Sequence, residues 1–196
     1  MSIELIIAVV VILGLIFYLI SIYNKLVSLK NRVDNAWAQI DVQLQRRYDL
    51  IPNLVETAKG YMKHEKETLK MVIDARNSAN DAAKAASGNP SDQNAIKDLQ
   101  ASEQKLQGAM MSFQALAEGY PDLKANTNML ALQEELATTE NKVGFSRQAF
   151  NDAVMQYNTG IEIFPNSLIA NQFKFTQATE WQIEDQEAKK NVKVAF

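Results

Sequence analysis

The sequence contains no cysteine, a single histidine and few of the residues that interrupt helices, with 7 glycines and 4 prolines among 196 residues. Without cysteine there is no disulfide, thiolate metal site, cysteine nucleophile or lipidated cysteine. The lone histidine, His64, excludes the histidine pairs of zinc-protease motifs and of di-iron helical bundles, and its charged surroundings indicate a solvated helix face. The scarcity of glycine and proline favours long helices over many short strands.

Motifs of the common enzyme classes are also missing. The sequence has no Gly-x-Ser-x-Gly elbow, no Walker loop and no Gly-x-Gly-x-x-Gly run, so nucleophilic and nucleotide-dependent catalysis lack their usual parts. The formal net charge of −3 gives no basic surface for nucleic acid. We therefore expect a non-enzymatic protein with no catalytic residue, no cofactor, no metal, no small-molecule substrate and no nucleic-acid partner.

One long uncharged apolar run is present, from Leu5 to Tyr23, bounded by Glu4 and by Asn24-Lys25. A helix of this length spans about 28 Å, close to the hydrocarbon thickness of a bilayer. No lysine or arginine precedes the run and no small-x-small cleavage site ends it, which argues against a cleaved signal peptide. We predict an uncleaved single-pass transmembrane anchor over residues 1–23.

The charges that flank this run predict its orientation. Lys25, Lys30 and Arg32 follow the run, whereas only the α-amine and Glu4 precede it. The positive-inside bias therefore favours an N-terminus outside the cell membrane and a cytoplasmic C-terminal domain.

Residues 24–165 show helical periodicity that is interrupted at prolines. Because proline lacks the amide N–H and disfavours helix in the residue before it, each proline is predicted to mark a boundary or a kink. The first helix follows the anchor directly, so the two can form one continuous rod. The prolines are Pro52, Pro90, Pro121 and Pro165, and the predicted helices lie at about 24–50, 53–86, 91–118 and 123–164.

The last of these helices carries apolar residues at strict seven-residue intervals: Met129, Leu136, Val143, Phe150, Tyr157 and Phe164. A period of 3.5 keeps one seam facing a neighbour, which is typical of coiled-coil packing. The fold class predicted from these patterns is all-α, with the transmembrane helix followed by an antiparallel up-down four-helix bundle. A long kinked helical hairpin is the alternative, because Pro52 and Pro121 lie at similar distances from a tip at Gly88.

Residues 166–196 form a C-terminal tail of different character. We predict a short helix at about 167–173 and otherwise irregular structure, although the alternation over 192–196 could add a strand to a sheet edge. Four aromatic residues make the tail too apolar to be purely solvated. We expect them to dock on the protein's own helices, with self-association or membrane contact as alternatives. They are Phe173, Phe175, Trp181 and Phe196.

Several polar residues lie next to the apolar seams of the predicted helices. Gln133, Glu140 and Arg147 recur at intervals of seven, and Glu103 interrupts the apolar stripe of the third helix. We interpret such residues first as inter-helix ion pairs. The alternative is a polar binding groove between helices. The candidate partner-binding residues are Trp37, Arg46, Arg47, Glu140 and Arg147.

Residues 32–55, RVDNAWAQIDVQLQRRYDLIPNLV, resemble the signature of the LemA family. The resemblance implies a bacterial protein with one transmembrane helix, a small extracellular N-terminus and an antiparallel four-helix bundle, and it supplies no catalytic residues. Lys174 departs from the family pattern, because many relatives carry glycine there. The resemblance continues through Tyr120–Leu123, Thr139–Asn141, Arg147, Tyr157-Asn158, Phe164-Pro165 and Val192–Phe196.

Two functional hypotheses follow from the sequence. The first is a non-enzymatic membrane-anchored scaffold that self-associates into a homo-oligomer and organises or remodels membrane lipid. Its basis is the anchor, the heptad seam and the apolar tail, since tethering raises the effective concentration for lateral assembly. The second is a membrane-tethered adaptor that docks a membrane or signalling protein through the segment from Trp37 to Leu54.

Overall fold

A computed structural model describes residues 2–182, and all regular structure in that range is helical. This confirms the all-α class. The predicted strand over 192–196, and with it Phe196, lies outside the described residues. Numbered in chain order, the helices are α1 (Ile3–Lys59), α2 (Lys66–Gly88), α3 (Gln93–Ala117), α4 (Pro121–Lys124), α5 (Thr127–Glu162) and α6 (Asn166–Gln172).

The longest helix, α1, contains both the apolar run and the first predicted soluble helix, which confirms the continuous rod. Its 57 residues extend about 85 Å at 1.5 Å per residue. Among the residues described, α1 is the helix that is long and apolar enough to cross a bilayer. The large apolar side chains from Leu5 to Ile20 are exposed, and burial by the rest of the protein begins at Ile22. Membrane insertion and orientation stay predictions.

Of the two alternatives predicted for Pro52, a helix boundary or a kink, the boundary is wrong, because α1 continues through Pro52 to Lys59 and the helix is interrupted only at residues 60–65. Pro52 has no N–H to donate to the carbonyl of Tyr48, four residues earlier. The guanidinium of Arg76, on α2, instead donates from Nε to that carbonyl at 2.7 Å. An inter-helix hydrogen bond thus replaces the missing intrahelical one.

The other three prolines lie where the helices do end. Pro90 is in the turn between α2 and α3, Pro121 is the first residue of α4, and Pro165 precedes α6. The start of α5 is capped by Asn126, whose side chain accepts a hydrogen bond from the backbone N–H of Met129. Such a cap satisfies an amide that would have no partner inside the helix.

The helices pack around α1. It packs most extensively against α5 and also contacts α2. The helix α2 in turn packs against α3, and α6 contacts both α1 and α5. The pairing of α1 with α5 is antiparallel, since Arg46 meets Glu135 whereas Trp37 meets Phe150. The helices α3 and α5 lie on opposite sides of a cavity. The closed antiparallel bundle expected from the sequence stays a prediction.

The heptad seam of α5 faces the interior of the molecule. Met129, Val143, Phe150 and Tyr157 are buried, and Leu136 packs against the same core. Phe164 is the exception and is exposed, because α5 ends at Glu162 before reaching it. The periodicity therefore reports packing of α5 within its own chain, mainly against α1.

The described part of the tail docks on the helices. The predicted short helix is confirmed as α6. Trp181 is buried with its ring 6.0 Å from that of Trp37. The side chain of Asn151 donates to the carbonyl of Trp181 at 3.1 Å and accepts from its N–H at 2.8 Å. Asn158 binds both backbone groups of Ala178 in the same way. Two asparagine side chains thus hold an irregular segment as a strand partner would.

The turn after α6 has a backbone conformation that favours glycine at position 174, where this chain has lysine. Lys174 has a φ of 56°, in the left-handed region that glycine favours. The N–H of Phe175 bonds to the carbonyl of Ala170 at 2.9 Å and closes the helix end. A lysine in this conformation costs about 1–2 kcal/mol that a glycine would avoid.

Candidate functional site

A groove of about 600 Å³ separates α3 from α5. We call it the α3/α5 groove. Its floor is α1, which contributes Ile51 and Leu54, and further apolar surface comes from Met110 and Phe113 on α3 and from Leu136 on α5. Trp181 closes one end. The lining of α3 runs from residue 100 to residue 118, which corresponds to a length of about 27 Å.

A cluster of charged side chains crosses the groove and joins three helices. Arg47 on α1 pairs with Glu103 on α3, and each side chain is only 11% exposed. The same guanidinium pairs through Nη1 with Glu140 on α5, at 2.5 Å. The hydroxyl of Tyr48 also donates to Glu103. One cation thus serves two carboxylates at the point where α1, α3 and α5 approach each other.

Burial perturbs the titration of the groups around this cluster. It raises the pKa of Tyr48 to about 12, and the neighbouring charge of Arg47 offsets only part of that rise. The hydroxyl of Tyr48 therefore stays protonated and able to donate at neutral pH. Burial also lowers the pKa of Arg147, an effect that the charge of Glu140 opposes. Arginine nevertheless stays cationic, because its pKa starts above 12.

Arg147 lines the groove without a carboxylate partner. Over residues 2–182, no Asp or Glu oxygen lies within salt-bridge distance of its guanidinium. Arg47, by comparison, has two carboxylates, although its own Nε is buried without a hydrogen-bond acceptor in the described structure. Within residues 2–182, the groove therefore combines an apolar floor with a guanidinium that forms no salt bridge.

The structure brings together some of the predicted site residues and separates others. Arg47 and Glu140 form an ion pair, and Arg147 lines the same groove. Arg46 lies outside the groove, where its half-exposed side chain pairs with Glu135 at 2.5 Å. The interpretation of these residues as inter-helix ion pairs is confirmed for Arg46, Arg47 and Glu140. Their role in partner binding stays a prediction.

Trp37 lies in the core, away from the groove lining. Its indole N–H donates to the hydroxyl of Ser87 at 3.1 Å, and its ring packs edge-on against Phe150 at 5.4 Å. With 2% exposure, Trp37 offers almost no surface to a partner. Any contribution to partner binding would be indirect, through the packing of α1 on α5.

Sequence reasoning missed two parts of the site. Tyr48 gave no signal, because a tyrosine fits the apolar stripe of α1 and the sequence does not show where its hydroxyl goes. The position of Trp181 at the groove end was also unpredicted. Glu103 did give a signal, since a carboxylate in an apolar stripe requires a buried partner.

No group of three or more His, Asp or Glu side chains in the described part of the chain is arranged to hold a metal ion. Of the carboxylates in the groove, those of Glu103 and Glu140 instead pair with Arg47, and that of Glu118 pairs with Lys124. The expectation that the protein needs no cofactor stays a prediction, and the arrangement is suited to recognising charge and apolar surface.

Fold and site together define a class: an all-helical protein whose longest helix joins an apolar segment of membrane-spanning length to a helical domain with an elongated groove. The sequence profile of the LemA family matches residues 36–196, and the chain belongs to that family. It is similar to Protein LemA of Metamycoplasma hominis, with 25% identity over 157 residues that cover 79% of this chain and 67% of the relative.

Proposed function

We propose that this chain is a membrane-anchored adaptor in which α1 holds the protein in the cell membrane and the α3/α5 groove binds an acidic, amphipathic segment of a partner membrane protein. The observation that carries the proposal is the groove itself, with its apolar floor and with Arg147, whose guanidinium has no carboxylate at salt-bridge distance within residues 2–182. The sequence-based adaptor hypothesis is thereby moved from the Trp37–Leu54 segment to the gap between α3 and α5.

The dimensions of the groove suit a single peptide element. A length of about 27 Å accommodates a helix of roughly 18 residues or an extended segment of roughly 8. An amphipathic helix that lays its apolar face into such a groove is a recurring mode of recognition. Met110 and Met111 on the groove wall provide flexible, polarisable contacts that adapt to different apolar side chains.

The charge of the groove selects the sign of the partner. A carboxylate that reaches Arg147 would gain a charge-assisted and potentially bidentate hydrogen bond. The partial burial that lowers the pKa of Arg147 also strengthens such a pair, because the local dielectric is lower than in water. A basic segment would meet an unfavourable cation at this position, so we expect Asp or Glu in the bound segment.

The packing of α5 weighs against the self-associating scaffold as the first choice. The heptad seam that motivated homo-oligomerisation is buried inside one chain, so it is not available to a second copy. We propose that the partner segment fills the space between α3 and α5 and packs there as a fifth element beside the four long helices of the chain. Self-association and membrane remodelling stay predictions.

The proposal is tested by site-specific photo-cross-linking of the full-length protein in its native membrane. Met111 lies on the groove wall with 63% exposure, whereas Met155 lies on α5 outside the groove with 54% exposure. A photoreactive residue at 111, but not at 155, should cross-link to an acidic apolar segment of another protein. The charge reversal R147E should abolish that product, and the matched reversal R46E outside the groove should leave it.

Three results would refute the adaptor. A product that R147E and R46E reduce equally would not depend on the groove. Cross-linking to a second copy of the chain would support the scaffold instead. Cross-linking to residues 183–196 of the same chain would show that the protein fills its own groove.

A further inference from the structure

Three large apolar side chains are exposed in the segment that runs from the end of α5 through α6. Phe164, Leu168 and Phe173 are 79%, 61% and 56% exposed. We call these three residues the α6 patch. Asn166 and Ala170 are buried. The helix α6 therefore packs these two residues against the rest of the protein and leaves Leu168 exposed to solvent.

The α6 patch lies beside the end of the apolar run of α1. The ring of Phe173 is 4.7 Å from that of Tyr23, the last residue of the run. The end of α5 is at the same level, because a Cβ placed on Gly160 would be 2.5 Å from Cδ1 of Leu29. Since α5 runs antiparallel to α1, its last residues lie still closer to Tyr23.

The surface of a bilayer that holds α1 falls at this level. No side chain of α1 before Ile22 is buried by the rest of the protein in the described structure. The exposed part of α1 from Ile3 to Ile22 is about 28 Å long, close to the thickness of the hydrocarbon core of a bilayer. Tyr23 is then at the interface, where tyrosine rings are favoured. Two exposed lysines adjoin this level, Lys25 shortly after Tyr23 on α1 and Lys174 directly after Phe173, and their charge suits phosphate headgroups.

We propose that the α6 patch inserts into the interfacial region of the same bilayer that anchors α1 and forms a second, monotopic membrane contact. The occupant of this apolar face is lipid, because the face continues the surface of the spanning segment. The inference rests on the membrane anchoring proposed above. Two contacts would fix the rotation of the domain about α1, whereas a single spanning helix would leave that rotation free.

The test places a tryptophan in the patch and another far from the membrane. Phe164 and Phe145 are both exposed phenylalanines, and Phe145 lies about 26 Å of helix before the end of α5 at Glu162. Full-length F164W and F145W are reconstituted into phosphatidylcholine vesicles with and without lipids brominated near the headgroup. The native Trp37 and Trp181 are buried in both variants, so their background cancels in the comparison.

We expect brominated lipid to lower about twofold the emission that F164W adds to that of the two native tryptophans, and to lower negligibly the emission that F145W adds, since an interfacial ring sits within about 5–10 Å of the headgroup–acyl boundary. Acrylamide should quench F145W more strongly than F164W. An L168W variant provides an independent reporter if F164W loses helix by circular dichroism. Vesicle flotation separates the two levels: protein that does not float would refute the anchor and the patch, whereas protein that floats with F164W unquenched would refute the patch alone.

Discussion

Replacing Arg47 by methionine should destabilise the helical domain by about 3 kcal/mol, at the lower end of the range for breaking a buried ion pair. The substitution removes the cation from between Glu103 and Glu140 but keeps a long side chain. Glu140 is mostly exposed and can return to water, whereas Glu103 is only 11% exposed and cannot. The hydroxyl of Tyr48 still donates to Glu103, which is why we choose the lower end. For a chain of this size the loss corresponds to roughly 6–12 °C in Tm.

The adjacent residue provides the matched control. Arg46 also pairs with a glutamate on α5, but that pair is half exposed, and exposed pairs contribute about 0–1 kcal/mol. Urea unfolding of full-length R47M and R46M in the same detergent, followed by far-UV circular dichroism and tryptophan fluorescence, compares the two losses directly. The double variant R47M/E103M should recover most of the R47M loss, because neither charge is then left buried and Tyr48 can donate to the carbonyl of Ala79, 3.3 Å away.

Equal losses for R47M and R46M would contradict this reasoning, because they would show that burial does not distinguish the two pairs. A double variant as unstable as R47M alone would show that the loss comes from packing and not from an unpaired carboxylate.

Three further predictions concern residues around the same helix. Between pH 10 and 12, the free energy of unfolding of the parent protein should fall by about 2–3 kcal/mol more than that of Y48F. The reason is that the pKa of Tyr48 is about 12 in the folded protein, so the unfolded tyrosine loses its proton at lower pH. Parallel pH profiles for the two proteins would contradict this. R76M should lower the free energy of unfolding by about 1–3 kcal/mol, because it leaves the carbonyl of Tyr48 unpaired. The double variant R76M/P52A should recover most of that loss in urea titrations, because alanine at position 52 restores the N–H that can donate to this carbonyl. No recovery would show that Arg76 does not replace the missing intrahelical bond. W37A should lower stability by about 3–5 kcal/mol, and a variant that unfolds like the parent would show that Trp37 is not a core residue.

The features predicted correctly from the sequence depend on periodicity. The heptad of α5 identified buried positions from Met129 to Tyr157 because a helix of that length keeps one face toward its neighbour wherever that neighbour lies. It failed at Phe164 because helix termination depends on local contacts that a repeat does not encode. The continuous α1 was predictable because its first soluble turn follows the apolar run directly, with no proline or glycine between them.

Features that depend on contacts distant in sequence were not predictable from one chain. Pro52 reads as a helix end because the donor that replaces its missing N–H belongs to Arg76, on another helix. A groove between helices was only the alternative interpretation, because the patterns of α3 and α5 are compatible with either a closed or an open arrangement. Arg147 and Glu140 illustrate the difference: both were interpreted as members of inter-helix ion pairs, but the sequence did not show that Arg47 is the partner of Glu140.

The absence of any break in α1 between Tyr23 and Lys59 makes this segment a lever of about 54 Å. In a bilayer, spanning helices change tilt to match local thickness. A 10° change in tilt would displace the far end by roughly 9 Å, about the width of one helix. Under the proposed membrane anchoring, thinning or thickening of the bilayer would therefore move the distal end of the domain sideways.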